Sequence, residues 1–132
     1  MKKLIMLAMV VGLIICGCID SYESQRIREA REEKEYYEKT HALQIDDKWE
    51  WRVDGNYSYI KGSVKNIGAK PIRYFEVHAI YTDTSGNVLD TAYTNSGEML
   101  QPGWSKRFEI MHAYRSEFKR ASVRVENIRF AR

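Results

Sequence analysis

The sequence contains only two cysteines, and both lie near the N-terminus, at positions 16 and 18. A disulfide-stapled scaffold needs several cysteine pairs spread through the fold, so that class is excluded. Two prolines and eight glycines are too few for a collagen-like or low-complexity chain. A formal net charge of +3 over 132 residues does not by itself indicate a nucleic-acid-binding protein. The abundant aromatic residues (9 Tyr, 4 Phe and 3 Trp) favour a folded domain of ordinary size with a short appendage.

The first 18 residues follow the order of an export signal. A basic start at Lys2 and Lys3 precedes an uncharged apolar run from Leu4 to Ile15. A secretory signal peptide has this order, whereas a membrane-spanning helix needs about 20 apolar residues. The residues Ile15-Cys16-Gly17-Cys18 resemble a bacterial lipobox, whose last cysteine becomes the acylated N-terminus. We therefore predict a signal peptide over residues 1–17 and lipidation of Cys18.

Two alternatives remain open for this segment. An uncleaved signal-anchor helix would keep both cysteines as small apolar residues, and ordinary secretion would release the mature chain. All three outcomes place the rest of the chain outside the cytoplasm. We expect a protein that is held at the cell membrane by a lipid anchor and faces outward.

Residues 18–40 are predicted to form a charged helical stalk. The segment 20–39 has no glycine or proline and is rich in strong helix formers. Opposite charges recur four residues apart, as in Arg28/Glu32 and Glu35/Lys39, and each such pair stabilises a helix by about 0.2–0.5 kcal/mol. Its apolar residues form no continuous stripe, which excludes a coiled coil. We predict a solvated spacer, with a helix that docks a partner as the alternative.

From residue 41 the hydrophobic period changes to two, which indicates β-strands. Odd positions from His41 to Val53 are mostly apolar and predict one long strand with a buried face. Further strands are predicted over residues 57–66, 72–83, 88–94, 104–111 and 118–130, with turn-forming sequences between them. A change of phase in the last strand predicts a bulge near Glu126–Asn127. Residues 41–132 should thus form an all-β, antiparallel β-sandwich of about six to seven strands.

Three segments carry a resemblance to a known family. The segment 62–72 reads Gly-Ser-Val-Lys-Asn-Ile-Gly-Ala-Lys-Pro-Ile, 81–88 reads Tyr-Thr-Asp-Thr-Ser-Gly-Asn-Val, and 100–110 reads Leu-Gln-Pro-Gly-Trp-Ser-Lys-Arg-Phe-Glu-Ile. Together they resemble FxLYD-type immunoglobulin-like domains. The resemblance implies an immunoglobulin-like sandwich on a prokaryotic membrane lipoprotein or signal-anchored protein, without general enzymatic activity.

No motif indicates catalysis, a metal or a cofactor. The histidines His41, His78 and His112 lack the spacing of a metal site, and His78 beside Glu76 is more simply an exposed strand face. No G-x-S-x-G sequence or glycine-rich phosphate loop is present. The neighbouring Asp46 and Asp47 cannot both face one cleft from a strand. We predict a protein that is not an enzyme and uses no metal or cofactor.

The surface offers one candidate binding face. Tyr57, Tyr59, Tyr74 and Ile80 lie out of phase with the core residues of the second and third predicted strands. If these two strands pair, the four side chains form one outer face, which either binds a partner or only stabilises the sheet. The basic residues between Arg115 and Arg132 are explained by a solvated face or by a patch for an acidic partner or for lipid headgroups.

These observations favour a non-catalytic envelope lipoprotein whose sandwich binds a protein or an envelope polymer, with no nucleic-acid partner. The alternative is a structural accessory subunit of a larger membrane complex.

Overall fold

The computed structural model describes the backbone from residue 2 and the side chains of residues 21–132. The predicted signal peptide and the lipidation residue Cys18 therefore lie outside the residues whose side chains are described. The described residues form one helix, α1 (Lys2–His41), and seven strands. The strands are β1 (Leu43–Ile45), β2 (Glu50–Asp54), β3 (Tyr57–Asn66), β4 (Ile72–Thr82), β5 (Val88–Ser96), β6 (Ser105–Ala113) and β7 (Arg120–Phe130).

Helix α1 includes the segment 20–39, for which the sequence predicts a helix. Every side chain from residue 21 to 37 is exposed, as expected for a segment without an apolar stripe. The chain divides into two compact units, Met1–Tyr37 and Glu38–Arg132, and the second contains all seven strands. No helix among the described residues is long and apolar enough to cross a membrane. The spacer role of the helix stays a prediction.

Two antiparallel sheets make up the second unit. In the first sheet, β3 is central, with β6 on one side and β1 and β2 on the other. The second sheet has the order β5-β4-β7. The ring of Tyr81 on β4 stacks on that of His112 on β6, with centroids 5.4 Å apart, so the sheets meet face to face. This arrangement agrees with the predicted antiparallel sandwich.

The prediction of a single strand from His41 to Val53 is wrong. His41 ends α1, and residues 46–49 divide the rest into β1 and β2. The main-chain N–H of Lys48 donates to the Asp46 carboxylate at 2.8 Å, and that of Trp49 donates to the Asp46 carbonyl at 3.3 Å. An aspartate interrupts a strand in this way because its side chain satisfies the backbone locally.

The interruption nevertheless preserves the predicted phase. Ile45 pairs with Val64 and Trp51 pairs with Ile60, so two extra residues are inserted and odd positions still face inward. Ile45 and Trp51 pack against the core, while Val53 at the end of β2 is exposed. The alternation was therefore informative about the buried face but not about the continuity of the strand.

The core consists of alternate residues from both sheets. Phe75, Val77 and Tyr81 on β4 have exposed fractions of 2% or less, which confirms that they line the interior. Ile60 and Val64 on β3 face them from the first sheet. The buried set also contains Ile72, Ala79, Leu100, Ile110 and Phe118. Phe118 precedes β7 instead of beginning it.

A bulge occurs in β7 at the predicted place. The register between β4 and β7 shifts between Tyr74 and Glu76, opposite Glu126 and Asn127. Asn127 has a φ of 54°, in the left-handed region that asparagine tolerates better than most residues. The extra residue returns Ile128 to the core, where its exposed fraction is 8%.

Asn66, in the segment 62–72 that resembles FxLYD-type domains, has a structural role. Its Nδ2 donates to the carbonyls of Lys70 and Leu100, each at 2.9 Å, and its Oδ1 accepts from the N–H of Gly68 at 3.0 Å. A buried amide needs such partners because unpaired polar groups are costly in the interior. Asn66 therefore fixes the loop between β3 and β4.

Candidate functional site

The four residues of the predicted binding face do not share one surface. Tyr57 and Tyr59 lie on β3, whereas Tyr74 and Ile80 lie on β4. The expected pairing of these strands does not occur, because β3 and β4 belong to different sheets. Outward-pointing residues of two packed sheets lie on opposite sides of the sandwich. The structure thus replaces one predicted face by two.

The outer face of the first sheet, which we call the Tyr57 face, contains Tyr57, Tyr59 and Met111. Tyr59 lies between Arg52 on β2 and Met111 on β6. Tyr57 and Met111 are 48% and 60% exposed, and Tyr59 is half-buried. The tyrosine hydroxyls make no hydrogen bond to a described residue. This face offers apolar area with few fixed polar contacts.

The outer face of the second sheet, which we call the Glu76 face, has regular rows of side chains. One row across β5, β4 and β7 contains Tyr93, His78 and Arg124, the next Asn95, Glu76 and Glu126, and a third Thr91, Ile80 and Ser122. Residues two apart on a strand point to the same side, so the rows form one surface. From Tyr74 to Ile80 the surface extends about 20 Å along β4, at about 3.3 Å per residue.

Glu76 is the centre of this surface. Its carboxylate accepts hydrogen bonds from the Tyr74 hydroxyl at 2.6 Å, His78 Nε2 at 2.8 Å and Asn127 Nδ2 at 2.8 Å. The hydrogen bond from Tyr74, followed by those from His78 and Asn127, lowers the pKa of Glu76 to about 2. The same bond to Glu76 is the main cause that raises the pKa of Tyr74. The carboxylate is therefore ionised and fixed in place near neutral pH.

His78 connects this carboxylate to an exposed aromatic ring. Its Nε2 also lies 3.3 Å from a carboxylate oxygen of Glu126, and since carboxylates only accept, Nε2 carries the proton. The Tyr93 ring stacks on the imidazole with centroids 5.2 Å apart and an interplanar angle of 17°. Tyr93 is 61% exposed and lies on the edge strand β5. One side of the Tyr93 ring therefore stacks on His78, and the other side has no neighbouring strand in the sheet.

Arginines from β7 complete the surface. The Arg129 guanidinium lies 4.9 Å from the centroid of the Tyr74 ring, a cation–π contact. Arg124 forms a close ion pair with Glu126. Arg120, beside Thr82, makes no ion pair with any described residue.

A second polar cluster links β5 and β6 and is only partly buried. His112 forms a hydrogen bond with Asp90 at 2.9 Å, which is the main cause that lowers the pKa of Asp90. Ser58 is nearby, but its hydroxyl donates to the main-chain carbonyl of His112 at 3.4 Å and its exposed fraction is zero. A nucleophilic serine must bond to the histidine ring and reach substrate. Despite its composition, this cluster has the geometry of a structural contact.

A cavity lies beside the break between β1 and β2. It has a volume of about 700 Å³ and includes Trp49 and Phe108, which approach each other across Gly62. A Cβ atom at position 62 would lie 2.8 Å from Phe108 Cζ and 2.8 Å from Trp49 Cβ, so glycine is required there. The other lining side chains are mainly charged: Asp46, Lys48, Glu50, Lys61, Arg107 and Glu109. Small-molecule pockets are mostly apolar, so we treat this cavity as a surface groove.

The sequence indicated part of the Glu76 face. The spacing of Tyr74, Glu76, His78 and Ile80 at two-residue intervals places them on one strand face, and the proximity of His78 to Glu76 was foreseeable. Tyr93 and Glu126 come from other strands, and only the sheet register identifies them as neighbours. Within residues 21–132, no group of three or more His, Cys, Asp or Glu side chains is placed to hold a metal ion.

The sequence was compared with protein-family models and with curated proteins. No protein-family model matches the sequence, so the resemblance to FxLYD-type domains rests on the three segments quoted above. A search of curated proteins also finds no significant match.

Several solved structures are similar to this chain. A DUF1425 family member from Shewanella sp. pv-4 aligns with a TM-score of 0.47 and 8% identity, covering 64% of this chain and 75% of that one. The trimeric lipoprotein SadB of Salmonella enterica aligns with a TM-score of 0.46 and 12% identity, covering 98% and 86%. Beta-glucosidase 3B of Thermotoga neapolitana aligns at 0.43 with 16% identity, covering 67% of this chain and 16% of that one. Because all these scores lie below 0.5, we base no argument on them.

Proposed function

We propose that this protein is a non-catalytic envelope lipoprotein, anchored through Cys18, that binds a protein or an envelope polymer outside the cytoplasm. The lipobox-like residues Ile15-Cys16-Gly17-Cys18 support the anchor and the location. A lipoprotein with two or three acyl chains is firmly bound to a membrane, whereas a single chain binds only weakly.

The arrangement of side chains on the Glu76 face is the main support for the proposed binding role. A carboxylate with three donors, a histidine between two carboxylates and an exposed stacked tyrosine are held in fixed positions on one surface. Fixed side chains lose little conformational entropy when a partner binds, which favours affinity. A merely solvated strand face does not require this degree of organisation.

The strand order supports a finer assignment of the fold. Sheets with the orders β1/β2-β3-β6 and β5-β4-β7 correspond to strands A-B-E and C′-C-F of immunoglobulin-like sandwiches. We accordingly assign residues 41–132 to an immunoglobulin-like domain, in agreement with the FxLYD resemblance. Such domains present their faces and end loops for binding, and function depends on the surface and not on the fold.

The anchor is tested by metabolic labelling with a clickable fatty acid. The wild-type protein should carry the label and remain in the membrane fraction, and Cys18→Ser should lose both properties because no thiolate is left to acylate. Cys16→Ser is the matched control and should keep the label. An unlabelled wild type, or a labelled Cys18→Ser variant, would overturn the lipoprotein assignment.

The binding role is tested by capture from a solubilised envelope extract with the full chain as bait. Tyr93→Ala should weaken capture by the Glu76 face without lowering the melting temperature, because Tyr93 is exposed. If Tyr93→Ala leaves capture unchanged, the Glu76 face is not the binding surface.

The Tyr57 face favours the alternative of a structural accessory subunit. Tyr57 and Met111 expose apolar area without hydrogen-bonding constraints, and aromatic residues and methionine are enriched in protein interfaces. Under this alternative Tyr57→Ala, and not Tyr93→Ala, reduces the yield of a co-purified membrane complex.

A further inference from the structure

We propose that the Glu76 face binds an acidic polysaccharide, a polymer of carboxylate-bearing sugars, with Tyr93 as the stacking platform and the arginines of β7 as the carboxylate-binding groups. This inference rests on the proposed function and specifies the chemistry of the envelope polymer.

The exposed Tyr93 ring is a platform on which a sugar ring can stack. A sugar ring has C–H groups on its faces and hydroxyls around its rim, so it packs against a flat aromatic ring and needs planar polar groups beside it. Tyr93 is held parallel to His78 on an edge strand, with its other side open. His78 is in turn positioned by Glu76 and Glu126, at 2.8 and 3.3 Å. The ring is therefore fixed before a ligand arrives.

The charge of the Glu76 face favours an anionic ligand. Both carboxylates are already engaged: Glu76 accepts from three donors, and Glu126 contacts Arg124 and His78. Arg120 has no ion-pair partner among the described residues, and Arg129 contacts only the π-face of Tyr74 in that set. Donors on these guanidinium groups remain available, and a guanidinium matches a carboxylate in a two-point geometry. The charge left uncompensated is therefore positive and complements an anionic ligand.

The polar centre of the Glu76 face favours a polysaccharide over a protein partner. Protein interfaces depend on a few large apolar or aromatic side chains in a buried centre. The centre of the Glu76 face is instead polar, with Glu76, His78 and Asn127 linked by hydrogen bonds. The opposite surface, the Tyr57 face, exposes Tyr57 and Met111, whereas the Glu76 face exposes the Tyr93 ring beside this polar centre. A hydroxyl-rich ligand fits the polar centre because it supplies hydrogen bonds for those it displaces.

The test uses the full chain in phosphatidylcholine nanodiscs, with alginate and polygalacturonate oligosaccharides as acidic probes and a mannan oligosaccharide as the neutral one. We expect measurable binding of at least one acidic probe, weaker binding of mannan, and a decrease in affinity with added salt, as for exposed charges. Tyr93→Ala and Arg129→Gln should each weaken binding about tenfold, the size expected for loss of one central contact.

Two further variants separate an effect on ligand binding from an effect on folding. Arg120→Gln removes a cation that has no ion pair to break, so any loss of affinity reflects the ligand and not the fold. Tyr57→Ala removes an exposed tyrosine from the other face and should leave binding and melting temperature unchanged. Melting temperatures of all variants are measured alongside.

Several outcomes overturn the inference. Absence of binding to both acidic probes, equal affinity for mannan, or unchanged affinity in Tyr93→Ala and Arg129→Gln each contradict it. Phosphatidylglycerol vesicles serve as a competing anionic surface, and tighter binding to them than to the acidic probes would assign the arginines to lipid headgroups. Fatty-acid labelling of Cys18 is independent of these results, so a labelled protein that binds no acidic sugar removes this inference and leaves the lipoprotein proposal.

Discussion

On the outer face of β5-β4-β7, Glu76 accepts three side-chain hydrogen bonds and its neighbours fix one another. On the outer face of β1/β2-β3-β6, the hydroxyls of Tyr57 and Tyr59 make no hydrogen bond to a described residue. Both faces cover the same core and have tyrosines at comparable strand positions. The difference lies in the neighbours that the sheet register supplies, because β5 and β7 place polar planar groups beside Glu76, whereas β6 places Met111 beside Tyr59.

This difference separates two kinds of surface. A fixed polar face is selective, because a ligand must match hydrogen-bonding groups that do not move. An exposed face of tyrosine and methionine adapts to varied partners, because the thioether is flexible and the hydroxyls are free to turn. One small domain thus offers two surfaces of different character.

The largest expected effect comes from the core that both faces share. Phe75 is 2% exposed, so Phe75→Ala should lower the free energy of unfolding by about 3–5 kcal/mol through lost burial and the cavity left behind. Urea unfolding followed by tryptophan fluorescence measures this loss, and binding by either face should disappear with the fold.

A matched control is Tyr81→Phe in the same strand. The buried Tyr81 hydroxyl has no hydrogen-bond partner among the described residues, so its removal should change the free energy of unfolding by less than about 1 kcal/mol. A loss with Tyr81→Phe as large as that with Phe75→Ala would show that the hydroxyl, and not packing, stabilises this layer.

The next effect belongs to the Glu76 face alone. Glu76→Gln should lower the free energy of unfolding at neutral pH by about 1–2 kcal/mol, because hydrogen bonds to a charged group are weakened. The pKa of Glu76 is lowered from 4.5 to about 2 in the folded protein, so its stabilisation is present above pH 4.5 and is lost as the pH falls towards 2. The wild type should therefore lose more stability than Glu76→Gln across that interval.

The control for this pH dependence lies on the Tyr57 face. Glu109 makes only a 3.8 Å ion pair with Lys61, and both side chains are more than half exposed, so Glu109→Gln should leave the wild-type pH profile nearly unchanged. Chemical unfolding at a series of pH values tests both variants. Equal slopes for wild type and Glu76→Gln would contradict the role given to the Glu76 network.

The smallest effect is expected on the Tyr57 face. Tyr59→Ala should lower the free energy of unfolding by no more than about 1 kcal/mol, since the residue lies on an outer face between Arg52 and Met111. If this face binds a partner, capture should weaken while the melting temperature stays nearly constant. If it only stabilises the sheet, both should fall in proportion, and a variant that changes neither would leave the face without a role.

Much of the fold was predictable because period-two alternation directly reports which side of a strand is buried. Phe75, Val77 and Tyr81 are buried as predicted, and the change of phase in the last strand correctly located the bulge near Asn127. The break at Asp46 was missed because its two extra residues leave the alternation intact. A pattern that survives an insertion cannot reveal it.

The candidate site was less predictable than the core. Tyr74, Glu76 and His78 follow from spacing along one strand, but Tyr93 lies 15 positions beyond His78 and Glu126 lies 50 positions beyond Glu76. Their proximity depends on hydrogen bonding of β4 to β5 and β7. Nothing in the local sequence states which strands become neighbours, so Tyr57 and Tyr74 were expected together and are found on opposite faces.

The sequence by itself determined the lipobox-like start, the helical character of the charged segment, and the inward side of the strands, including β1 and β2 whose separation it did not reveal. These properties follow from composition and periodicity, since they depend on residues close together in the chain. Only the tertiary structure decided the partition of the strands between two sheets and the side chains that meet across them. That choice depends on burying both inner faces in one core, a requirement of the whole chain that no single segment satisfies alone.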